Sequence, residues 1–444
     1  MVMKCQKDAF DFRRLNMTLK KRGYIQRIID EKIERMLGAF GAVSIEGPKW
    51  CGKTWTGLNH SNSVIYIGDP SGNFQNRRLA QMDPEIVLRG DTPRLIDEWQ
   101  EVPPIWDAVR HSSDMIAEKG LYILTGSATP NQDGIVHSGA GRIGRVKMHS
   151  MSLFESGDSS GEISLLELFK KPWNKNVFTG KVELEHLIDL TVRGGWPGTL
   201  GINIENAMDL SKGYLDAVIN KDVQTIDRKK RDVGKMRALI RSLARNESTT
   251  VSKSTLAKDM TDADDETASF PTLSDYLDVL GRLYVIEEQP AFNPNLRSSL
   301  RVGKTPKRRF TDPSLAIAAL EATPEMMIGD LNTYGLMFES LCMRDLGIYA
   351  ESFGGRLYHY RDGDGREVDA VVELPDGRWG AFEIKLGIDR IDAAAEGLLK
   401  INELTYGNNK SKGPAVLCVI CGLSSAAYRR EDGVFVIPIT ALRN

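Results

Sequence analysis

The chain has 444 residues, enough for two to four domains at roughly 100–200 residues each. Its hydrophobic share of 41% and charged share of 27% are ordinary for globular protein. A net charge of −2 excludes a global field that would drive the chain onto nucleic acid or membrane, so any such binding needs a local patch.

Five scattered cysteines, odd in number, argue against a disulfide framework and suit a reducing cytoplasm. Cys418 and Cys421 form a CxxC in "AVLCVICGL", but no second pair or nearby histidine completes a zinc set, so a buried strand is expected there. No apolar run reaches the ~18–20 residues that span a bilayer. The N-terminus "MVMKCQKDAFDFRRLNMTLKKRG" is basic without an apolar h-region, so it is not a secretory signal. Residues 1–23 read as a flexible leader, and the chain is expected to be cytoplasmic with no membrane partner.

Next comes "GPKWCGKT", residues 47–54, which matches G-x-x-x-x-G-K-[ST] at Gly47, Gly52, Lys53 and Thr54. Such a loop, here Gly47, Pro48, Lys49, Trp50, Cys51 and Gly52, wraps main-chain N–H groups around phosphates and needs glycine where φ is positive. Lys53 would reach the β- and γ-phosphates, and the Thr54 hydroxyl would sit on Mg²⁺. "GAVSIEG" before it reads as a buried strand and "KTWTGLNHS" after it as a short helix, the setting the motif requires.

"PRLIDEWQEVP" is an apolar strand ending in Asp97 and Glu98, the Walker B arrangement. Asp97 would hold the Mg²⁺ shell, and Glu98 would polarise the attacking water. "GLYILTGSATP" is another buried strand, ending in the polar Thr125 and Ser127; in ATPases with a strand added between the two Walker strands such a residue senses the γ-phosphate, the alternative being a strand followed by a plain Ser/Thr turn. "SGAGRIGRVKMHSMSLFE" places Arg142 and Arg145 after a glycine turn. Either arginine is a candidate arginine finger, of this or a neighbouring subunit, the alternative being plain surface charge. Strands "AVSI", "VIYI", "RLID", "YILT" and "RVKM" alternate with helical stretches, which predicts an α/β domain over 24–150 with a parallel sheet and its ligand crevice at the strand C-termini.

Residues 151–230 read as a helical linker region interrupted by "RGGWPGTL", where Trp196 is expected to anchor the loop by packing. Residues 231–315 hold three short helices and then an extended pair, the order of a winged helix-turn-helix. The tail "RSSLRVGKTPKRRF" carries Arg297, Arg301, Lys304, Lys307, Arg308 and Arg309 and no acid, a candidate surface for DNA phosphates over 297–309. Against that, Asp275 and Asp278 on the third helix would repel phosphate, and a packing module or solvated turn remains open.

Residues 316–444 begin with "YGLMFESLCMRDLGIYAES", a helix bearing Glu339. "RLYHYRDGDGREVDAVVELPDGRWGAFEIKLG" follows as three strands, the last two joined by a "PDG" hairpin turn. Side chains alternate along a strand, so Glu383 and Lys385 share a face, and antiparallel pairing brings Asp369 to the same cleft, with Glu339 reaching in from the helix. Clustered carboxylates repel, and a hard cation such as Mg²⁺ would resolve that, with Lys385 orienting a water. The bland alternative is an exposed acid–base pair on an edge strand.

Together "GPKWCGKT", "LIDEWQ", "LTGSA", "GRIGRVKMHSMSLFE", "GGWP", "FTDPSLA", "YGLMFESL" and "REVDAVVE…GAFEIKLG" resemble the bacterial and archaeal AAA-type ATPases with a C-terminal domain of unknown function, itself similar to the PD-(D/E)xK restriction-endonuclease fold. The resemblance runs over nearly the whole chain after about residue 23. It implies a P-loop AAA-type parallel sheet with helices on both faces, a winged-helix segment and a restriction-endonuclease-like α/β unit. Lys53, Thr54, Asp97 and Glu98 match the ATPase motifs; Glu339, Asp369, Glu383 and Lys385 match the nuclease motif. The implied function is an ATP- and Mg²⁺-dependent ATPase coupled to a unit that binds or cleaves DNA. The alternative is an ATP-driven switch whose C-terminal unit only binds DNA or protein, with a homo-oligomeric or other protein partner.

Overall fold

Five short apolar strands, β1 (Ala42–Glu46), β2 (Ser63–Tyr66), β3 (Arg94–Asp97), β4 (Tyr122–Gly126) and β5 (Ile143–Lys147), build the first sheet of the computed structural model. The structure describes residue 19 and residues 21–444, apart from 129–133, 171–175, 228, 261–268, 296, 300, 302–303 and 408–412. The expected leader therefore falls almost wholly outside the described residues.

All five strands pair in parallel, in the order β2-β3-β4-β1-β5. Parallel pairing needs crossovers, and helices such as Lys53–Asn59 and Ile105–Ile116 supply them. Because such a sheet is covered on both faces, β3 and β4 are buried at every position. β4 lies between β1 and β3, with Thr125 in register with both Ile45 and Asp97. Three chemically important strand ends are thus neighbours.

Residues 151–230 are not purely helical. Two short strands there, β6 (Ile163–Ser164) and β7 (Val177–Phe178), pair with strands near the end of the chain. One apolar cluster runs from Val43 and Ile45 of the first sheet to Phe382 and Ile420 of the second, so the units share a core.

Helices Val233–Arg245, Lys253–Asp259 and Phe270–Arg282 come next. Each opens on an Asp or Ser whose side chain accepts a main-chain N–H of the first turn. The antiparallel pair β8 (Ile286–Gln289) and β9 (Lys307–Phe310) follows, so three helices lead into a hairpin. Asp275 on the third helix pairs with Arg231 and Lys229.

The second sheet has seven strands in the order β10-β11-β12-β13-β15-β14-β7. Helix Leu331–Ser352 precedes an antiparallel meander of β10 (Arg356–Arg361), β11 (Glu367–Glu373) and β12 (Trp379–Lys385). The "PDG" turn joins β11 to β12 with Glu373 opposite Trp379. Helix Ile391–Gly407 crosses over to β13 (Val416–Cys421), parallel to β12. The strands β14 (Ala426–Arg429), β15 (Phe435–Pro438) and β16 (Leu442–Arg443) complete the chain. Cys418 and Cys421 are buried free thiols on β13, as the apolar run predicts.

Helix Leu331–Ser352 is buried at nearly every position from Tyr334 to Ala350, because it packs on β10, β11 and β12 on one side and on other helices elsewhere. Its buried Arg344 is neutralised by Asp312 at 3.0 Å and Asp345 at 2.8 Å. Among the described residues no helix is long and apolar enough to cross a membrane.

Candidate functional site

After β1 the chain turns at Gly47, passes Trp50 at φ 69° and Gly52 at φ 102°, and enters helix Lys53–Asn59. At Gly47 a Cβ would lie 2.1 Å from the Met148 carbonyl oxygen, so only glycine fits. Positive φ at Gly47, Trp50 and Gly52 curls the main chain tightly between β1 and the helix, the kind of turn in which main-chain N–H groups can receive phosphate. Lys53 Nζ donates to the carbonyls of Gly47 at 3.0 Å and Pro48 at 2.7 Å, so its ammonium lies over the loop.

The Thr54 hydroxyl donates to Asp97 Oδ1 at 2.8 Å, and Thr125 donates to the same oxygen at 2.6 Å. Burial pushes the Asp97 carboxyl up, and these two hydroxyls pull the other way. Glu98 has left-handed backbone at φ 58°, a conformation that non-glycine residues keep mostly where function holds it. Its carboxylate accepts from Ser127 Oγ at 3.0 Å and from the Gln100 amide. All these groups meet at the C-terminal ends of β1, β3 and β4, where the parallel sheet predicts a crevice.

That crevice encloses about 950 Å³ and is lined by Lys49, Trp50, Gly52, Lys53, Thr54, Glu98 and Ser127. Lys49 contributes its stem, since its ammonium pairs with Asp222 at 2.7 Å. Cys51 is buried behind the loop with its thiol 3.8 Å from the Met148 carbonyl.

Sequence reasoning missed part of the wall: Tyr24, Arg27, Pro197 and Gly198. Arg27 is buried and donates to the Cys51 carbonyl at 2.7 Å, the His149 carbonyl at 2.9 Å and Glu155 at 2.9 Å. It therefore clamps the phosphate loop from beneath. Nothing in its local sequence signals this, because its partners lie up to 128 residues away. The "RGGWPGTL" loop is anchored as expected, with Trp196 stacked 5.3 Å from Tyr214 and its Nε1 donating to Ser314 at 2.9 Å. That anchoring also sets Pro197 and Gly198 at the crevice, a role its glycine–proline pattern did not specify.

The arginines do not reach this crevice in their own chain. Arg142 precedes β5, at the opposite end of the sheet, where its carbonyl accepts from Ala42 N and its guanidinium pairs with Asp114 at 2.6 Å. Arg145 lies 4.7 Å over the Trp106 ring. Neither lines the cavity.

A second cluster forms in the C-terminal unit as strand alternation predicts. Lys385 Nζ lies 3.1 Å from Asp369 and 2.6 Å from Glu383, joining β11 to β12. Glu339 projects from its helix to the same place, but its partner is Lys307 of β9, at 2.7 Å. Lys307 also lies 3.8 Å from Asp369. Burial, then the Asp369 charge, pushes Glu339 up to about 7 and Glu383 up to about 8. For Asp369 burial acts upward too, but Lys385, Lys307 and the Ile384 N–H outweigh it and hold the carboxyl below its ordinary value.

The expected cation on Glu339, Asp369 and Glu383 does not fit this arrangement. Two ammonium groups already supply the positive charge, and among the described residues no three His, Cys, Asp or Glu side chains are set to hold a metal. Lys307 is the residue that sequence reasoning missed, because it was counted into the basic stretch.

Of the stretch over 297–309, the residues at its C-terminal end are not the exposed stripe expected, while Arg297 is exposed, Lys304 is half-buried, and residues 300, 302 and 303 lie outside the described residues. Lys307, Arg308 and Arg309 are buried on β9, where they pair with Glu339, Glu288 and Glu287. Arg301 pairs with Glu373 at 2.8 Å. Charges neutralised within the fold are not free for phosphates.

Residues 39–156 match the AAA domain family, and 184–326 and 334–442 match two domains of unknown function, DUF8612 and DUF4143. Uncharacterized proteins of Mycobacterium bovis and Mycobacterium tuberculosis are each 23% identical over 358 residues, covering 80% of this chain and 72% of theirs. A solved Walker-type ATPase of Pyrococcus abyssi is 14% identical with a TM-score of 0.43, covering 68% of this chain and 99% of its own. The AAA match spans the whole first sheet and every side chain from Lys53 to Ser127 that meets in the crevice, and the N-terminal unit is an ATP-binding, AAA-type P-loop ATPase domain.

Proposed function

We propose that the chain is a Mg²⁺-dependent ATPase whose nucleotide state governs a C-terminal nuclease-like unit acting on DNA. The observation that carries the ATPase half is the hydrogen-bonded set Thr54–Asp97–Thr125, whose Thr54 lines the same cavity as Lys53 and Glu98. Those oxygens suit a hard cation, so Thr54 and Asp97 would hold Mg²⁺, which neutralises phosphate charge when bound. Lys53 exchanges its carbonyl partners for the β- and γ-phosphates. Glu98, steadied by Ser127 and Gln100, takes a proton from the attacking water, and Thr125 keeps Asp97 aimed at the cation side.

The nuclease-like half is supported by the order helix–strand–strand–strand–helix–strand and by the convergence of Glu339, Asp369, Glu383 and Lys385. A second reading, a nucleotide switch that binds a partner without cutting it, is favoured by Lys307 inside the cluster and by the ion pairs that occupy Arg308 and Arg309.

Incubating the protein with Mg²⁺ and linear or plasmid DNA, with and without ATP, separates the two. The proposal expects cleavage that requires ATP and disappears in Asp369→Asn. No cleavage under any condition, or cleavage that survives Lys385→Ala, leaves the switch.

A further inference from the structure

We infer that Lys307 is a tethered counter-ion that shuts the C-terminal acid cluster to divalent cations, and that the β8–β9 hairpin carrying it links the cluster to the nucleotide crevice. The inference rests on the nuclease-like reading of that cluster and adds its regulation. Lys385 belongs to β12 and stays with Asp369 and Glu383 whatever the hairpin does. Lys307 comes from outside the second sheet, on β9, and is the cation in ion-pair contact with Glu339. Its side chain is 7% exposed and that of Glu339 is 15%, so neither charge is solvated by bulk water. An ammonium and a divalent ion within about 4 Å repel strongly at the effective dielectric of a protein. The two therefore compete for one place.

The hairpin is fastened at its other side to the strands that bear the phosphate loop. Alternation along β9 sets Lys307 and Arg309 on one face and sends Arg308 to Glu288 on the other. Arg309 pairs with Glu287 of β8, and Glu287 pairs with Lys147, the last residue of β5, at 2.6 Å and with His149 at 3.3 Å. Tyr284, just before β8, donates to Glu46 at 3.1 Å. Glu46 ends β1 and immediately precedes Gly47, and its carbonyl accepts from Met148 N at 2.7 Å. The phosphate loop is thus joined to Lys307 by these hydrogen bonds and ion pairs together with the main chain of β8 and β9, the route by which a shift of the loop on binding ATP would reach it.

The test is Mn²⁺ binding to the full chain, with melting followed in parallel, for wild type, Lys307→Met, Lys307→Arg and Lys307→Met/Asp369→Asn. Without nucleotide, Lys307→Met should bind Mn²⁺ on the order of a hundredfold tighter than wild type, the size a removed neighbouring charge implies. The gain should vanish in the double variant and be absent in Lys307→Arg, and Mn²⁺ should raise the melting temperature of Lys307→Met alone. A non-hydrolysable ATP analogue should raise the Asp369-dependent affinity of wild type; no change severs the proposed link. An Asp369-dependent Mn²⁺ site in nucleotide-free wild type, or equal affinity in wild type and Lys307→Met, overturns the counter-ion role. The first of these outcomes is readable even should Lys307→Met fail to fold. DNA cleavage on the same samples keeps the two ideas apart. A Mn²⁺ gain without cleavage upholds the counter-ion and sinks the nuclease. Asp369-dependent cleavage by wild type with Mn²⁺ but no nucleotide does the reverse.

Discussion

Replacing Arg27 by methionine tests whether the crevice depends on its clamp. The guanidinium is buried and holds three groups that would lose a donor: the carbonyls of Cys51 and His149 and the carboxylate of Glu155. Burial acts to raise Glu155, and Arg27 together with the Ser152 and Ile28 N–H groups outweighs it, so the carboxyl is held below its ordinary value with Arg27 as its charged partner. Removing one partner of a buried ion pair costs about 3–5 kcal/mol. Glu155 keeps donors from Ile28 N at 2.8 Å and Ser152 N at 2.8 Å, which places the loss near the lower end, about 3 kcal/mol. That is a large part of the roughly 5–15 kcal/mol by which domains are stable. The released Cys51 carbonyl also loosens the phosphate loop, and the loss of one charge-assisted hydrogen bond predicts about tenfold weaker ATP binding. Urea unfolding should show a lower midpoint for Arg27→Met. Adding Glu155→Gln, which removes the unpaired charge, should recover part of it. An unchanged midpoint with unchanged ATP affinity, or a double variant that loses the sum of the two single losses, would refute the reasoning.

Glu98→Gln should keep binding of an ATP analogue while phosphate release falls by on the order of 10²–10⁴, the usual size of general-base loss; equal turnover contradicts the role given to Glu98. Gly195→Ala would set a Cβ 2.1 Å from the Met151 carbonyl oxygen, so the loop must move and carry Pro197 and Gly198 with it. A loss of about 1–3 kcal/mol and weaker ATP binding are expected, checked by urea midpoint and titration. Glu247 is buried, accepts from Ser340 and from Phe310 N, and is pushed by burial up to about 8. A raised carboxyl binds a proton in the folded state that the unfolded chain has lost, so stability falls as pH rises from about 4.5 to about 8. Glu247→Gln should flatten that fall, by an amount of about a few kcal/mol between pH 5 and 9; unfolding midpoints with the wild-type slope would contradict it.

The first sheet was largely legible because its signals are local. Each of β1, β3 and β4 is a short apolar run with the chemistry at or beside its C-terminal end: Gly47 follows β1, Asp97 ends β3, and Thr125 and Ser127 flank the last residue of β4; glycine at 47 and 52 marks turns no other residue makes easily. The convergence of Asp369, Glu383 and Lys385 followed from alternation across one hairpin turn. What was missed depends on distant partners. Arg27 and Glu155 are 128 residues apart, and Lys307 and Glu339 are 32 apart on different elements. A linear run of basic residues reads as a solvated stripe until pairing buries β9 and gives Lys307, Arg308 and Arg309 each an acid. β6 and β7, two residues each, are too short to carry a periodic pattern and exist because β16 and β14 offer them an edge.

The most direct measurement is equilibrium binding of a non-hydrolysable ATP analogue, in Mg²⁺, to wild type and Lys53→Ala. Lys53 lies over the Gly47–Thr54 loop with nothing but loop carbonyls as its hydrogen-bond acceptors among the described residues, ready to meet phosphate oxygens. Saturable one-to-one binding by wild type, lost or weakened at least tenfold in the folded variant, is the predicted result. Equal affinity in the two proteins, or no binding by wild type, would contradict the account.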